Sequence, residues 1–359
     1  MKVWNLILLM VLLFSSANAQ TGQLKGRILD SKTSEPLPFA HVFVNLTTLG
    51  ATSDDQGNYV LKGLPTGTHE IVFSFIGYSS YITRLTIQQD QEIRQDIRLI
   101  PLEKELETVV VSGTRDKEWE KQLKRFEKIF LGSTRFSGAT TIKNPWVLEF
   151  KETTVNNVHL FTATASQAIE IVNNALGYRI DYYLKTFAHT SEGYNIVGQV
   201  RFEELIPHDD QQVKTWGDNR TAAYYGSFRH LVTSIIDDRV QDEGFQIYID
   251  KRGYENTSIR TSNFKSQLDK TIEGYSTKNT LVTGRVGEYL IPVKQRWEVH
   301  YTRSRTNQKT YTDVTYPVSW IQVNGGTIRA TAEGIVLNQG NVILSGAMNE
   351  ARLADMLPY

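Results

Sequence analysis

The stretch Gly22–Tyr78 reads GQLKGRILDSKTSEPLPFAHVFVNLTTLGATSDDQGNYVLKGLPTGTHEIVFSFIGY. Short alternating runs at Leu24–Leu29, Ala40–Val44, Tyr59–Leu61 and Glu70–Phe75 are separated by Glu35-Pro36-Leu37-Pro38, Thr52–Tyr59 and Gly63-Leu64-Pro65-Thr66-Gly67. Proline donates no backbone N–H, so Pro36, Pro38 and Pro65 are harmless only between strands. Gly57 and Gly67 stand where tight turns demand positive φ. With Tyr81–Ile87 and Ile93–Leu99 beyond it there are six such runs, and a β-sandwich, expected with seven strands, is the fold they predict. Asp54, Asp55 and Asn58 offer calcium-type donors, but the alternating ligands and distal glutamate of an EF-hand are missing, so the segment reads as a hairpin turn.

The order of these elements resembles the carboxypeptidase-like regulatory domain. Its marks are a G-x-aliphatic strand at Gly26–Ile28, then Glu35-Pro36-Leu37-Pro38, then the turn from Thr52 to Tyr59, then Leu64-Pro65-Thr66-Gly67, then Ser74-Phe75-Ile76-Gly77-Tyr78. The resemblance implies a transthyretin-like sandwich over residues 20–101, and the module itself brings no catalytic residues. Leu106–Arg115 (LETVVVSGTR) is similar to the segment that follows the same sandwich in TonB-dependent outer-membrane transporters. No plug domain follows, however, and the 229 residues from 131 to 359 barely match the ~220 that a 22-stranded barrel uses before any loop. The segment therefore reads as a strand or extended linker.

Upstream, Met1–Ala19 (MKVWNLILLMVLLFSSANA) has a basic start at Lys2, an apolar run from Leu6 to Phe14 and small residues before Gln20. That is the pattern of a secretory signal peptide. The expected location is outside the cytoplasm, in the periplasm or at the outer membrane of a Gram-negative envelope. Gln20 stands where a lipid anchor requires cysteine, and no later run reaches the ~20 apolar residues of a membrane helix. The whole chain of 359 residues balances 39 basic against 39 acidic side chains. Loss of Lys2 with the leader leaves 38 basic against 39 acidic, a net charge of −1, which supplies no field for a nucleic-acid partner. Absence of cysteine excludes disulfides, thiolate metal sites and cysteine nucleophiles. The 17 Tyr and 15 Phe lean toward sheet.

Downstream, residues 102–132 read as a linker strand and an amphipathic helix, with Trp119, Leu123, Phe126 and Phe130 on one face and Gly132 as its stop. Residues 133–359 read as one β-rich α+β domain, which makes the chain mainly β with a few helices. Candidate strands are Trp146–Phe150, Val158–Ala165, Tyr178–Phe187, Tyr194–Phe202, Trp297–Arg303, Tyr311–Val323, Thr327–Leu337 and Asn341–Leu344. A helix is expected from Thr221 to about Gln241, capped by Asp218 or Asn219, and a closing helix over Ala347–Leu357. Residues 253–281 read as an exposed insertion, and Asn324-Gly325-Gly326 and Asn338-Gln339-Gly340 as hairpin turns. FLGSTRFSGATTIKNPWVLEF, ALGYRIDYYL and YYGSFRHLVTSIIDDRVQDEGFQIY resemble the C-terminal region of exported proteins that carry the same sandwich, which implies organisation and no activity.

A zinc carboxypeptidase would need H-x-x-E and a distant histidine. His189-Thr190-Ser191-Glu192 with His300 supplies the letters, yet His189–Gly193 sits between two alternating strands and reads as a hairpin turn. His208-Asp209-Asp210 carries metal donors but follows Pro207 as a polar loop. Asp237-Asp238 and Asp242-Glu243 read as a solvated helix end. Asn45, Asn219 and Asn256 each begin an Asn-x-Ser/Thr glycosylation acceptor. No catalytic, cofactor-binding or metal residues are assigned, and no cofactor is expected. The expectation is a noncatalytic envelope protein that binds or scaffolds a protein or glycan partner. The alternatives are a zinc-dependent carboxypeptidase or other hydrolase, and a small outer-membrane β-barrel of about eight strands.

Overall fold

The computed structural model describes residues 21–102, 117–155, 157–191, 193–252, 263–278, 280–284, 287–306 and 310–359. The leader at 1–19, the Leu106–Arg115 segment, Glu192 and Asn256 lie outside the described residues.

The N-terminal part is a sandwich of two sheets. Its strands are β1 (Thr21–Asp30), β2 (His41–Val44), β3 (Gly50–Thr52), β4 (Asn58–Pro65), β5 (Gly67–Ser74), β6 (Tyr78–Ser79), β7 (Tyr81–Ile87), β8 (Glu92–Arg94) and β9 (Ile97–Pro101). One sheet runs β4-β1-β9-β6 with β8 on β1, and the other runs β3-β2-β5-β7. The inward positions of the alternating runs make its core, with Leu24, Ile28, Val42, Ile71 and Phe73 fully buried. The strand count is nine rather than seven for local reasons. β3 and β6 are three and two residues long, below what a periodicity shows. The run 92–101 breaks where Gln95 N–H bonds to Lys25 O at 2.8 Å and Asp96 Oδ1 accepts from Arg27 N–H at 2.9 Å. At the 54–58 turn, Asp54 Oδ1 accepts the N–H groups of Gln56 and Asn58 at 2.9 and 2.8 Å, so this carboxylate organises a hairpin.

Helix α1 (Lys117–Leu131) follows, ending at Gly132 with φ 94°. Its buried face, Phe126, Ile129, Phe130 and Leu131, packs on a six-stranded sheet. The strands are β10 (Thr140–Ile142), β11 (Leu148–Val155), β12 (Val158–Ala165), β13 (Ile169–Asn173), β14 (Tyr178–His189) and β15 (Tyr194–Glu204). The helix thus docks by its apolar face onto its own chain. Phe126 stacks on Phe130 at 4.8 Å and lies 4.7 Å from Phe187.

The expected helix from Thr221 to Gln241 is two helices. α2 (Asp210–Tyr224) starts earlier, because Asp209 Oδ1 caps it by accepting from Gln212 N–H at 2.7 Å. His208 and Asp209 thus close the polar loop after Pro207, and Asp210 is the first helical residue. α3 (Phe228–Ile236) begins after a break at Gly226, φ 80°, with Ser227 as cap. The rest comprises β16 (Phe245–Asp250), α4 (Phe264–Gln267), β17 (Ile272–Tyr275), β18 (Val282–Thr283), β19 (Tyr289–Pro292), β20 (Trp297–Tyr301), β21 (Val318–Val323), β22 (Thr327–Ala330) and β23 (Val342–Gly346). They form a five-stranded sheet β17-β16-β20-β21-β23 and a three-stranded sheet β18-β19-β22.

Neither predicted Asn-Gly turn closes a hairpin. The turn at 324–326 carries the chain from β21 in one sheet to β22 in the other, and that at 338–340 carries it back to β23, which pairs with β21. Asn338 braces the return: its side chain accepts from Arg329 N–H and donates to Thr327 O, each at 2.8 Å. Part of the predicted insertion is regular, since β17 pairs with β16. The predicted closing helix is replaced by short 3-10 turns at Ala347–Asn349 and Leu353–Asp355. Each sheet has two open ends in its strand order, so no closed barrel is present among the described residues. No helix among them is long and apolar enough to cross a membrane.

The sandwich is joined to the six-stranded sheet through the turn after β2. Leu46 N–H bonds Val200 O at 2.8 Å, Phe202 N–H bonds Thr47 O at 3.0 Å, and Val200 N–H bonds Asn45 Oδ1 at 2.7 Å. Phe43 stacks on Tyr183 at 5.3 Å. Leu46 adopts φ 64°, an unfavourable region for a branched residue, and buries its side chain in the core under α1. Tyr359 N–H reaches Leu46 O at 2.9 Å, so the irregular C-terminal segment clasps the same turn.

Candidate functional site

The five-stranded sheet has two buried faces of opposite character. Alternation along β16 and β20 sends Phe245, Ile247, Trp297, Val299 and Tyr301 toward α3 and an apolar core. The intervening positions, Asp250, Glu298 and His300, face the other way under a cover made by α4 and residues 310–316. Glu298 and His300 have no exposed surface, and Asp250 has 5%. Burying such charges is tolerable only with full compensation.

Compensation is supplied by side chains far apart in sequence. Glu298 accepts from Tyr311 Oη–H at 2.7 Å, Trp320 Nε1–H at 2.9 Å and His300 Nε2–H at 2.8 Å, and also from Arg252 Nη2. Trp320 is its direct cross-strand neighbour. Arg252 donates further to Asp250 Oδ1 at 2.8 Å and to Tyr311 Oη at 2.8 Å. Burial opposes the Arg252 charge, but Asp250, Tyr311 and Glu298 outweigh it and hold the guanidinium pKa above its ordinary value. Burial, followed by the Glu298 charge, likewise pushes the Tyr311 phenol up. The cover is fastened by Asp313, whose carboxylate accepts from Phe264 N–H at 2.6 Å and Lys265 N–H at 3.2 Å.

Tyr248 touches both this network and a surface cleft. The ring of Tyr248 packs 5.0 Å from His300 and 5.2 Å from Phe264. Its hydroxyl donates to Gln246 Oε1 at 3.0 Å at the surface. Around it opens a cleft of about 600 Å³ between the 238–242 loop, the edge of β16 and residues 274–278. A smaller cavity of about 210 Å³ lies between α1 and the β11–β12 hairpin, lined by Arg125, Glu152 and His159 among others.

The candidate zinc residues are not brought together. His189 ends β14 in the six-stranded sheet, 3.3 Å from Arg125 Nη2, and burial with the Arg125 and Arg352 charges depresses its pKa. His300 lies in the five-stranded sheet beneath Tyr248. Among the described residues no three His, Asp or Glu side chains are grouped as a metal site would require. Asp237 and Asp238 follow α3, and Glu243 is engaged by His230 at 3.4 Å and Arg239 at 2.5 Å. Asn45 and Asn219 are committed inside the fold: Asn45 Nδ2 donates to Glu70 at 2.9 Å and Asn219 Nδ2 to Ala175 O at 2.8 Å. The residues that sequence reasoning missed are Asp250, Arg252, Glu298, Tyr311 and Trp320. The available signal was a charged run, Asp250-Lys251-Arg252, closing one apolar strand, and Glu298 and His300 at alternate positions of another with aromatics beside them.

The CarboxypepD_reg-like domain family model matches residues 24–111. No curated protein matches the chain in sequence. Similar solved structures include catechol 1,2-dioxygenase from Acinetobacter sp. ADP1, at 14% identity and TM-score 0.21 over 25% of this chain and 55% of that one. A type II cohesin–X-dockerin complex from Acetivibrio cellulolyticus matches at 19% identity and TM-score 0.20, over 22% and 58% of the respective chains. The group B streptococcus pilus 2b backbone protein matches at 15% identity and TM-score 0.19, over 22% and 41%. This chain thus spans little more than half of the first of these structures. With its two-sheet architecture and this family match, the N-terminal sandwich is a carboxypeptidase-like regulatory domain.

Proposed function

We propose that the chain is a noncatalytic, exported protein of the cell envelope that binds or scaffolds a protein or glycan partner. In this reading the sandwich at 20–101 is a docking module fixed to the rest, and the β-rich unit at 133–359 carries the ligand cleft. One observation supports the reading most: a dense set of ionisable groups is turned inward and consumed by itself. Four donors converge on Glu298, which has no exposed surface. A general acid or base must reach substrate within hydrogen-bond range, and this one is enclosed. The cleft is lined by polar side chains together with Phe245, Tyr248 and Tyr275, which suits recognition.

The test is turnover. The purified chain, incubated with chromogenic peptide, ester and glycoside substrates with and without added zinc, is expected to release nothing above background. Hydrolysis that disappears in His189→Ala or Glu298→Gln would overturn the reading in favour of a hydrolase.

A further inference from the structure

We infer that the cleft beside Tyr248 takes a neutral oligosaccharide, with the Tyr248 ring as stacking platform and the surrounding amides, hydroxyls and carboxylates as partners for sugar hydroxyls. The inference rests on reading the cleft as the binding site and adds the chemical class of its occupant.

Position matters first. Gly274 is the cross-strand partner of Tyr248. A side chain there would meet nothing within 4 Å, so the space beside the ring is open and belongs to the cleft. Rigidity comes next. His300 and Phe264 pack against the ring, and Gln246 holds its hydroxyl. His300 in turn is fixed by Glu298 at 2.8 Å. A platform held this way has little side-chain freedom to lose when a flat apolar face stacks on it.

The lining then selects among ligands. Its charged side chains cancel, Asp238 and Asp242 against Arg239 and Lys278, which disfavours a strongly anionic or cationic ligand. Gln246, Ser276 and Thr277 add neutral donors and acceptors. An extended peptide would need free strand edge to pair with. β17 already pairs with β16 over Ile247–Asp250, and Phe245 N–H is bonded to Val240 O at 2.9 Å, which leaves too little free ladder on β16 for a strand and only the four-residue edge of β17 beside it. A ligand with apolar ring faces and many uncharged hydroxyls matches what remains.

Gly274 supplies the discriminating variant. Its φ lies outside the left-handed region and its surroundings are empty, so Gly274→Val suits the strand and fills the cleft without strain. The full mature chain is titrated calorimetrically with maltotriose, cellotriose and chitotriose, and in parallel with uncharged tripeptides. At least one trisaccharide is expected to bind. Affinity should fall at least about tenfold in Tyr248→Ala, the equivalent of ~1.4 kcal/mol. Binding should vanish in Gly274→Val while its thermal unfolding matches the parent. Sugar binding that ignores Gly274→Val overturns the inference. Peptide binding blocked by Gly274→Val, without sugar binding, rejects the oligosaccharide but keeps the cleft as a binding site. Silence from both classes rejects the cleft as well.

Discussion

In the N-terminal sandwich the fully buried side chains are aliphatic and aromatic, and the one buried carboxylate, Asp30, sits at a strand end beside Tyr78 Oη–H at 2.6 Å. In the five-stranded sheet Glu298 and His300 lie within the central strand, with Asp250 buried at the end of the strand beside it. The first region is stabilised by burial of apolar area, which is tolerant and roughly additive. The second has a polar layer whose members depend on each other, so losing one leaves the others unsatisfied. The two regions are therefore expected to fail differently.

The sharpest test is Glu298→Ala. It strands Trp320 Nε1–H and Tyr311 Oη–H and leaves Arg252 with Asp250 as its one carboxylate partner, and breaking such a buried pair costs about 3–5 kcal/mol. Denaturant unfolding followed by tryptophan fluorescence should show the loss in the C-terminal region, while sandwich amides keep their hydrogen-exchange protection. A loss under ~1 kcal/mol would erase the contrast between the two regions.

A second effect comes from the C-terminal clasp. Burial raises the Asp355 carboxyl from 3.8 to about 6, despite a hydrogen bond from Thr134 Oγ1–H at 2.8 Å. The folded state thus favours the neutral acid. The stabilisation is full below pH 3.8, declines as pH rises through about 6, and is absent above it. Asp355→Asn should therefore stabilise the protein increasingly between pH 4 and 6 and by a constant amount above, on the order of 2–3 kcal/mol at most. Thermal unfolding across pH reads this directly, and a difference that shrinks with rising pH would refute it.

The smallest expected effect is at the seam. Asn45→Ala removes the acceptor of Val200 N–H and the donor to Glu70, a loss of about 1–2 kcal/mol. It should separate one cooperative transition into two, with the sandwich melting on its own. A single unshifted transition would mean that Leu46 and the C-terminal clasp suffice to couple the regions.

The same contrast governs what was legible beforehand. Leu24, Ile28, Val42 and Phe73 announce themselves by alternation between Gly and Pro turns, because the sandwich is assembled from local runs. Glu298 and His300 occupy the polar phase of an equally clear alternation in β20, which reads as a solvent face. Their burial depends on a cover, Phe264 and Tyr311, that pattern alone cannot dock there. Asn324-Gly325-Gly326 was legible as a turn but not as a passage between sheets, since the choice of partner strand is made elsewhere. The start of α2 after Asp209 was hidden because that helix is polar nearly all round, with only Trp216 and Ala223 buried. The cleft was invisible in the sequence, for it depends on an unremarkable glycine lying opposite a tyrosine.

The turn at Asn45–Thr47 has one more implication. β14 occupies one side of β15, and the turn lies along its other side through Leu46 N–H and Thr47 O. Exposed strand edges invite pairing with foreign chains, most dangerously while folding is incomplete. Since the sandwich precedes β15 in the chain, it can be ready before that strand emerges. Through Asn45–Thr47 the N-terminal module covers the Val200–Phe202 stretch of that edge, which leaves less of it for a foreign strand to pair with.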